Sequence, residues 1–272
     1  ETFNYANLND GSVELDEDGG GSDGTITYTG LEPISSTLTA ANVVLNYGAT
    51  SETITVSDAA TAGQTNVNSS AGETTDFNNP TASLTINAGA GNDTIDVNDV
   101  DAALPATVAL TISGDAGTDD VNVNTGLTLS DFDITSDAIT FTTGGDVVSG
   151  GTPVLNATSG IQFNGGSLNV SGGTVDLNAT NGSITGTDGG VTDISAGTID
   201  LSVSGTGNDV GAAGNPLEID ATTLIVATGG TAGDDVFIED LSGAPSHITE
   251  VCAREKLGEL ELLVPGERTL IF

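Results

Sequence analysis

Apolar residues alternate with small polar ones along most of this chain. Thr25-Ile26-Thr27-Tyr28-Thr29, Ser83-Leu84-Thr85-Ile86-Asn87 and Val108-Ala109-Leu110-Thr111-Ile112 all repeat every second residue. A period of two sends successive side chains to opposite faces of an extended backbone, so these segments predict short strands. Clusters of Gly, Asn, Asp and Ser between them are turn formers. No sustained helical pattern occurs before residue 246, and in Glu250–Leu263 the helical alternative is weakened by Gly258. The pattern predicts an all-β chain.

Internal repeats narrow the architecture. The fifteen residues from Leu84 to Asn98 align without a gap on Leu110 to Asn124, an offset of 26. A weaker copy is read at Glu52–Val56 followed by Gly63–Val67, and a later echo at Gly233–Phe237. From 154 onward apolar pairs such as Ile161/Phe163, Leu168/Val170, Val175/Leu177 and Val191/Ile194 recur about every seven to eight residues. Three such steps, each a strand closed by a turn, make one coil of about 21–25 residues, and stacked coils pair as parallel strands. The expectation is a right-handed parallel β-helix, a three-sided solenoid. An antiparallel β-sandwich is the alternative, because it also uses many short strands with regular turns. Four segments follow: an N-terminal β segment with an acidic Gly-rich loop (1–40), rungs with the 26-residue repeat (41–150), a second solenoid region (151–246) and irregular final rungs or a cap (247–272). With Glu1 first, no Met and an apolar end, the chain reads as a mature or excised piece.

Charge changes the picture next. Of 272 residues 39 are acidic and three basic, for a net charge of −36. Arg254, Lys256, Arg268, His247 and the single Cys252 all lie after residue 246, as do only five of the acids. Side-chain ion pairs are therefore impossible within residues 1–246. Binding to nucleic acid is excluded for want of cations to meet phosphates. One cysteine excludes a disulfide framework, and no apolar run is long enough to span a bilayer. Catalysis finds little footing. His247 and Cys252 read as an idle pair rather than a nucleophile and base, and with Trp absent no aromatic sugar platform is evident.

Two turns carry the candidate chemistry. Gly89-Ala90-Gly91-Asn92-Asp93-Thr94-Ile95 and Gly114-Asp115-Ala116-Gly117-Thr118-Asp119-Asp120-Val121 resemble the calcium-binding nonapeptide of repeats-in-toxin proteins, G-G-x-G-x-D-x-U-x. The resemblance implies Asp93 and Asp119 as Ca²⁺ ligands and Ile95 and Val121 as buried apolar positions. This chain departs from that pattern at Ala88 and Asp115, where glycines are expected, and its copies are not in tandem. If 26 residues make one coil, Asp93 stacks on Asp119 and Asp96 on Asn122. Two carboxylates about 5 Å apart repel, and a divalent cation is the direct remedy where no base is near. A second acidic loop, Asp16-Glu17-Asp18-Gly19-Gly20-Gly21-Ser22-Asp23, offers Asp16, Asp18 and Asp23 in a loose calcium-loop spacing. Asp234 and Asp235 form a third, weaker candidate. The metal-ligand expectation thus covers Asp93, Asp119, Asp96, Asp115, Asp16, Asp18, Asp23 and Asp235, with Ca²⁺ as the cofactor.

Residues 155–241, with Gly211-Ala212-Ala213-Gly214-Asn215-Pro216-Leu217-Glu218-Ile219 at a corner and two strands after it, resemble rungs of filamentous haemagglutinin-type bacterial adhesins. That resemblance implies a parallel β-helix exported to the bacterial cell surface. The functional expectation is a non-catalytic stalk or adhesin segment, extracellular, stiffened by Ca²⁺, meeting a cell-surface glycan or protein receptor. A flat Thr face that binds ice or another ligand, motivated by Thr25/Thr27/Thr29, Thr37/Thr39 and Thr53/Thr55, is the second reading. A polysaccharide-degrading β-helix is the third.

Overall fold

The alternating segments become strands, and the strands stack in parallel. A computed structural model describes residues 1–242, except 32, 188 and 230–233, together with the backbone of 247–253, 260–264 and 267–269. Among the described residues there is no helix; the chain forms stacked parallel coils, a β-solenoid. The face-packed antiparallel sandwich is not what forms. The coils divide into two compact units, Glu1–Asn122 and Val123–Phe272.

The first unit contains β1 (Thr2–Tyr5), β2 (Asp10–Leu15), β3 (Gly24–Thr29), β4 (Ile34–Ser36), β5 (Asn42–Asn46) and β6 (Thr53–Asp58). It continues through β7 (Gln64–Ser69), β8 (Thr75–Asn78), β9 (Ser83–Asn87), β10 (Thr94–Val97) and β11 (Ala109–Ser113) to the start of β12 (Asp120–Val123). One parallel column runs β1–β5–β9–β11, a second β6–β10–β12, and a third pairs β4 with β8. Register is set by the inward residues. Phe3, Leu45, Ile86 and Ile112 lie one above the next, all buried, and Ile54 stacks on Ile95 as Val56 does on Val97. A slip of one residue would turn every such side chain to solvent, so burial holds the register.

The 26-residue offset is real: Ser83 pairs with Ala109 and Ile86 with Ile112. The weaker copy falls elsewhere than the sequence suggests. Thr53–Val56 pairs with Thr94–Val97, an offset of 41, and 64–69 forms β7 of an antiparallel meander β6–β7–β8 rather than a rung strand. An excursion of this kind lengthens a coil without disturbing the columns. A second meander, β1–β2–β3, carries the acidic Gly-rich loop between β2 and β3.

The second unit has three columns as well. Its strands are β13 (Leu127–Leu129), β14 (Asp131–Thr142), β15 (Asp146–Ser149), β16 (Val154–Asn164), β17 (Ser167–Ala179), β18 (Ser183–Gly186), β19 (Ile194–Val203), β20 (Leu217–Thr228) and β21 (Val236–Asp240). They are followed by β22 (His247–Ala253), β23 (Leu260–Val264) and β24 (Glu267–Thr269). Leu155, Leu177, Leu201 and Val226 form one inward stack. Ile139, Ile161 and Ile184 form another, beside Phe141 over Phe163 with ring centroids 4.8 Å apart. Ile161/Phe163, Leu168/Val170 and Val175/Leu177 are buried as their alternation requires, but Val191 is 58% exposed and only Ile194 enters the core. In the tail, β22 continues in parallel on β20 and β23 on β21, while β24 turns back antiparallel. The side chains of His247 and Cys252 lie outside the described residues.

Candidate functional site

The acids that precede core strands sit at coil corners. There a backbone N–H belonging to one rung has no strand partner of its own, and a carboxylate from the adjacent rung meets it. Asp119 Oδ1 accepts the N–H of Asp93 at 2.8 Å, and Asp93 Oδ1 accepts the N–H of Glu52 at 2.8 Å. Asp93 and Asp119 therefore do stack on successive rungs, and both are buried, at 1% exposure. Each staples one rung to the next, because a buried N–H left unmet is costly and a charged acceptor bonds it strongly.

Glu52 is the third carboxylate of this column, and the sequence reading passed over it. Burial, and then the Asp93 carboxylate, push its pKa up to about 7. The Ser69 hydroxyl donates to Glu52 Oε2. Burial also raises the Asp93 pKa, against the Glu52 N–H, which lowers it; Asp93 Oδ2 is buried with no hydrogen-bond partner.

The nonapeptide-like turns have the backbone that the glycine pattern asks for. Gly89 and Gly91 have φ of 88° and 148°, and Gly117 151°; Asp115, standing where the pattern has glycine, is the one non-glycine with positive φ among the described residues, at 65°. A Cβ at Gly117 would lie 1.3 Å from the Gly91 carbonyl oxygen, so the stacked turns touch through backbone. They are also bonded to each other. Gly91 N–H donates to the Ala116 carbonyl at 2.8 Å, and Ala116 N–H to that of Gly89 at 2.9 Å. Asp115 is exposed and accepts from the Ser113 hydroxyl at 2.6 Å and the Gly89 N–H at 3.3 Å. Asp96 stacks on Asn122, whose amide donates to Asp96 Oδ1 at 2.8 Å.

Asp16, Asp18 and Asp23 do come together. One carboxylate oxygen of each lies within 4.8 Å of the others in the exposed loop between β2 and β3. The loop is shaped by its own N–H groups: Gly19 donates to Asp16 Oδ1 at 2.7 Å, Gly20 to Asp18 Oδ1 at 2.8 Å, and Glu17 to Asp23 Oδ2 at 2.7 Å. Three hard oxygens open to solvent suit Ca²⁺, which takes the rest of its coordination from water.

Asp235 is half-buried in the second unit, and its N–H donates to Asp209 Oδ1 at 2.7 Å. Its neighbour Asp234 is buried, with Oδ1 accepting from the N–H groups of Gly207 and Asn208 at 2.8 and 3.2 Å. Asp193 Oδ2 accepts the Glu218 N–H at 3.0 Å. Asp193, Asp209 and Glu218 were not singled out from sequence. An acid placed immediately before a core apolar residue, as in Asp193-Ile194 and Asp209-Val210, is the signal that finds two of them.

The corner at Gly211–Ile219 is a tight turn. Ala212 and Asn215 exchange backbone hydrogen bonds of 3.0 and 2.9 Å, Gly211 and Gly214 have positive φ, and Leu217 and Ile219 enter the core. On the outer face of the second unit a polar trough of about 280 Å³ is lined by Ser167, Asn169, Thr192, Ser195 and Asp220 over Leu168. Among the described residues no helix is long and apolar enough to cross a membrane. No protein-family model, no curated protein and no solved structure matches this chain.

Proposed function

We propose that this chain is a non-catalytic structural segment, a stalk or adhesin piece, of an extracellular bacterial surface protein, stiffened by calcium. The observation that carries the reading is the stacking of in-register rungs, each tied to its neighbours by a backbone ladder, an apolar column and carboxylate-to-N–H staples. Such a stack resists extension because each inner coil shares bonds with the coils on either side of it. The strongly acidic composition favours self-repulsion between copies. The haemagglutinin-like corner at Gly211–Ile219 supports the surface assignment, and the polar trough on β17, β19 and β20 supplies hydroxyl and amide groups for a glycan or protein receptor. Calcium enters at the Asp16/Asp18/Asp23 loop, where three carboxylates converge. The Asp93 and Asp119 corner, with the buried Asp93 Oδ2, is the second place to seek it.

The ice-binding reading gains no support from the positions of its threonines. Thr25, Thr27 and Thr29 lie on β3 of an antiparallel meander, Thr53 and Thr55 on β6, and Thr37 and Thr39 outside any strand. They form no common lattice.

Thermal melting followed by circular dichroism, in Ca²⁺ and in EDTA, tests the proposal. We expect a higher midpoint in Ca²⁺ and a sequential rise in force when single molecules are stretched. Identical melts in the two buffers would remove the calcium part. Release of sugar products from a glycan panel would replace a structural role with an enzymatic one.

A further inference from the structure

Two carboxylates in the second unit are buried together at one corner. Asp193 is 1% exposed and Glu218 is fully buried. They are locked by their own backbones: the Asp193 N–H donates to the Glu218 carbonyl at 2.8 Å, and the Glu218 N–H to Asp193 Oδ2 at 3.0 Å. Gly189 and Gly190 lie beside them. Gly190 N–H donates to Glu218 Oε1 at 2.9 Å, and the Asn215 amide donates to the Gly186 carbonyl. Gly189 and Gly190 both have positive φ. A Cβ at Gly189 would stand 3.9 Å from both Asn215 Oδ1 and Glu218 Oε1, so both oxygens lie beside that glycine. At Gly186 a Cβ would meet Asp193 Oδ2 at 2.2 Å, which puts the Asp193 carboxylate against the end of β18.

The second carboxylate oxygen of Glu218 points to what belongs there. Oε2 is buried and has no hydrogen-bond partner. A buried carboxylate is tolerated only when its charge is met, and residues 1–246 contain no Lys, Arg or His to meet it. The donors gathered at the corner are all oxygen, two of them carboxylates and one an amide. That set matches a hard divalent cation with a flexible coordination number and matches neither zinc nor copper, which favour nitrogen and sulfur.

We propose that Asp193, Glu218 and Asn215 form a buried calcium site that fastens Gly189 and Gly190 to the following rung. This rests on the reading of the chain as a calcium-stiffened solenoid and places an ion in its second unit, separate from the exposed Asp16 loop.

The test is calorimetric titration of the whole chain with CaCl₂ near neutral pH. It compares the unaltered protein, Glu218→Gln, and the triple variant Asp16→Asn/Asp18→Asn/Asp23→Asn. Glu218→Gln is expected to lose a binding event that the triple variant keeps. Europium luminescence lifetimes on the triple variant are expected to count fewer bound waters than on Glu218→Gln, since one site is buried and the other open. Unchanged stoichiometry in Glu218→Gln, or no uptake by the triple variant, overturns the site. Uptake confined to the Asp16 loop overturns this site alone, whereas no uptake by the unaltered chain overturns the calcium part of the proposed function as well. Should Glu218→Gln fail to fold, hydrogen exchange on the unaltered chain decides. The amides of Gly190 and Glu218 are expected to exchange about tenfold more slowly in saturating Ca²⁺, and equal rates with and without the ion overturn the proposal.

Discussion

Glu52 shows how a single side chain feels its neighbours across rungs. The residue is 6% exposed, next in the column to Asp93, and its carboxylate accepts the Ser69 hydroxyl and adds to the field on buried Tyr47. Burial and Asp93 raise its pKa from 4.5 to about 7. The folded state therefore favours the protonated carboxyl more than the unfolded chain does. By linkage this contribution is complete below about pH 4.5 and is lost as pH rises through about 7. The melting midpoint of the first unit is expected to fall between pH 5 and pH 8.5, and Glu52→Gln to flatten that slope while leaving the acid-side value nearly unchanged. A slope equally steep in Glu52→Gln would assign it to other carboxylates. Asp101 runs the other way. Burial tends to raise its pKa, but the N–H groups of Ala103 and Gly63 and the Asn79 side chain outweigh that and hold it low.

Strands are joined by more than their backbones. At the end of the β1–β5–β9 column, Asn46 donates its amide to Asn4 Oδ1 at 2.8 Å, and Asn87 donates to Asn46 Oδ1 at 2.7 Å. This asparagine ladder runs along the stack as the backbone ladder does, with the Asn46 amide both giving and accepting. Asn46→Ala removes both bonds and strands a partner on each side. The expected cost is about 1–3 kcal/mol, read by urea unfolding. Asn46→Asp is expected to cost more, because it sets an acceptor against Asn4 Oδ1, adding charge where none is balanced. A near-zero effect of both changes would show that water replaces the ladder at no cost. The Asn, Ser and Thr content of the strands thus has a structural use, in keeping with the sequence expectation of ladder and corner residues.

At the scale of the whole chain the governing quantity is a net charge of −36 carried on stacked coils. Columns bring like charges into register, and within residues 1–246 no side-chain cation offsets them. Carboxylates that accept backbone N–H groups are the local solution. Those in solvent, such as Asp16, Asp18 and Asp115, still repel over the Debye length, about 10 Å at 0.1 M salt. Raising NaCl from 20 to 500 mM is expected to raise the melting midpoint in EDTA by several degrees, with a smaller rise in Ca²⁺. A midpoint that falls with salt would mean that attraction, not repulsion, dominates the surface.

Strand character, the absence of helical periodicity, the 26-residue offset and the lack of internal cations were all legible in the sequence, since each is a local or directly repeated pattern. So were the glycine turns, and Asp93 over Asp119, because an ungapped repeat carries its own register. What the tertiary structure alone decided is which acids are buried and what each one meets. Glu52 finds Asp93 across 41 residues because the β6–β7–β8 meander lengthens that coil, and Asp193 finds Glu218 across 25. Val191, placed by sequence in the recurring apolar beat, lies outside any strand and is exposed. In a solenoid a side chain's surroundings are supplied by the next rung, and the length of each coil, set by its turns and excursions, determines which residue that will be.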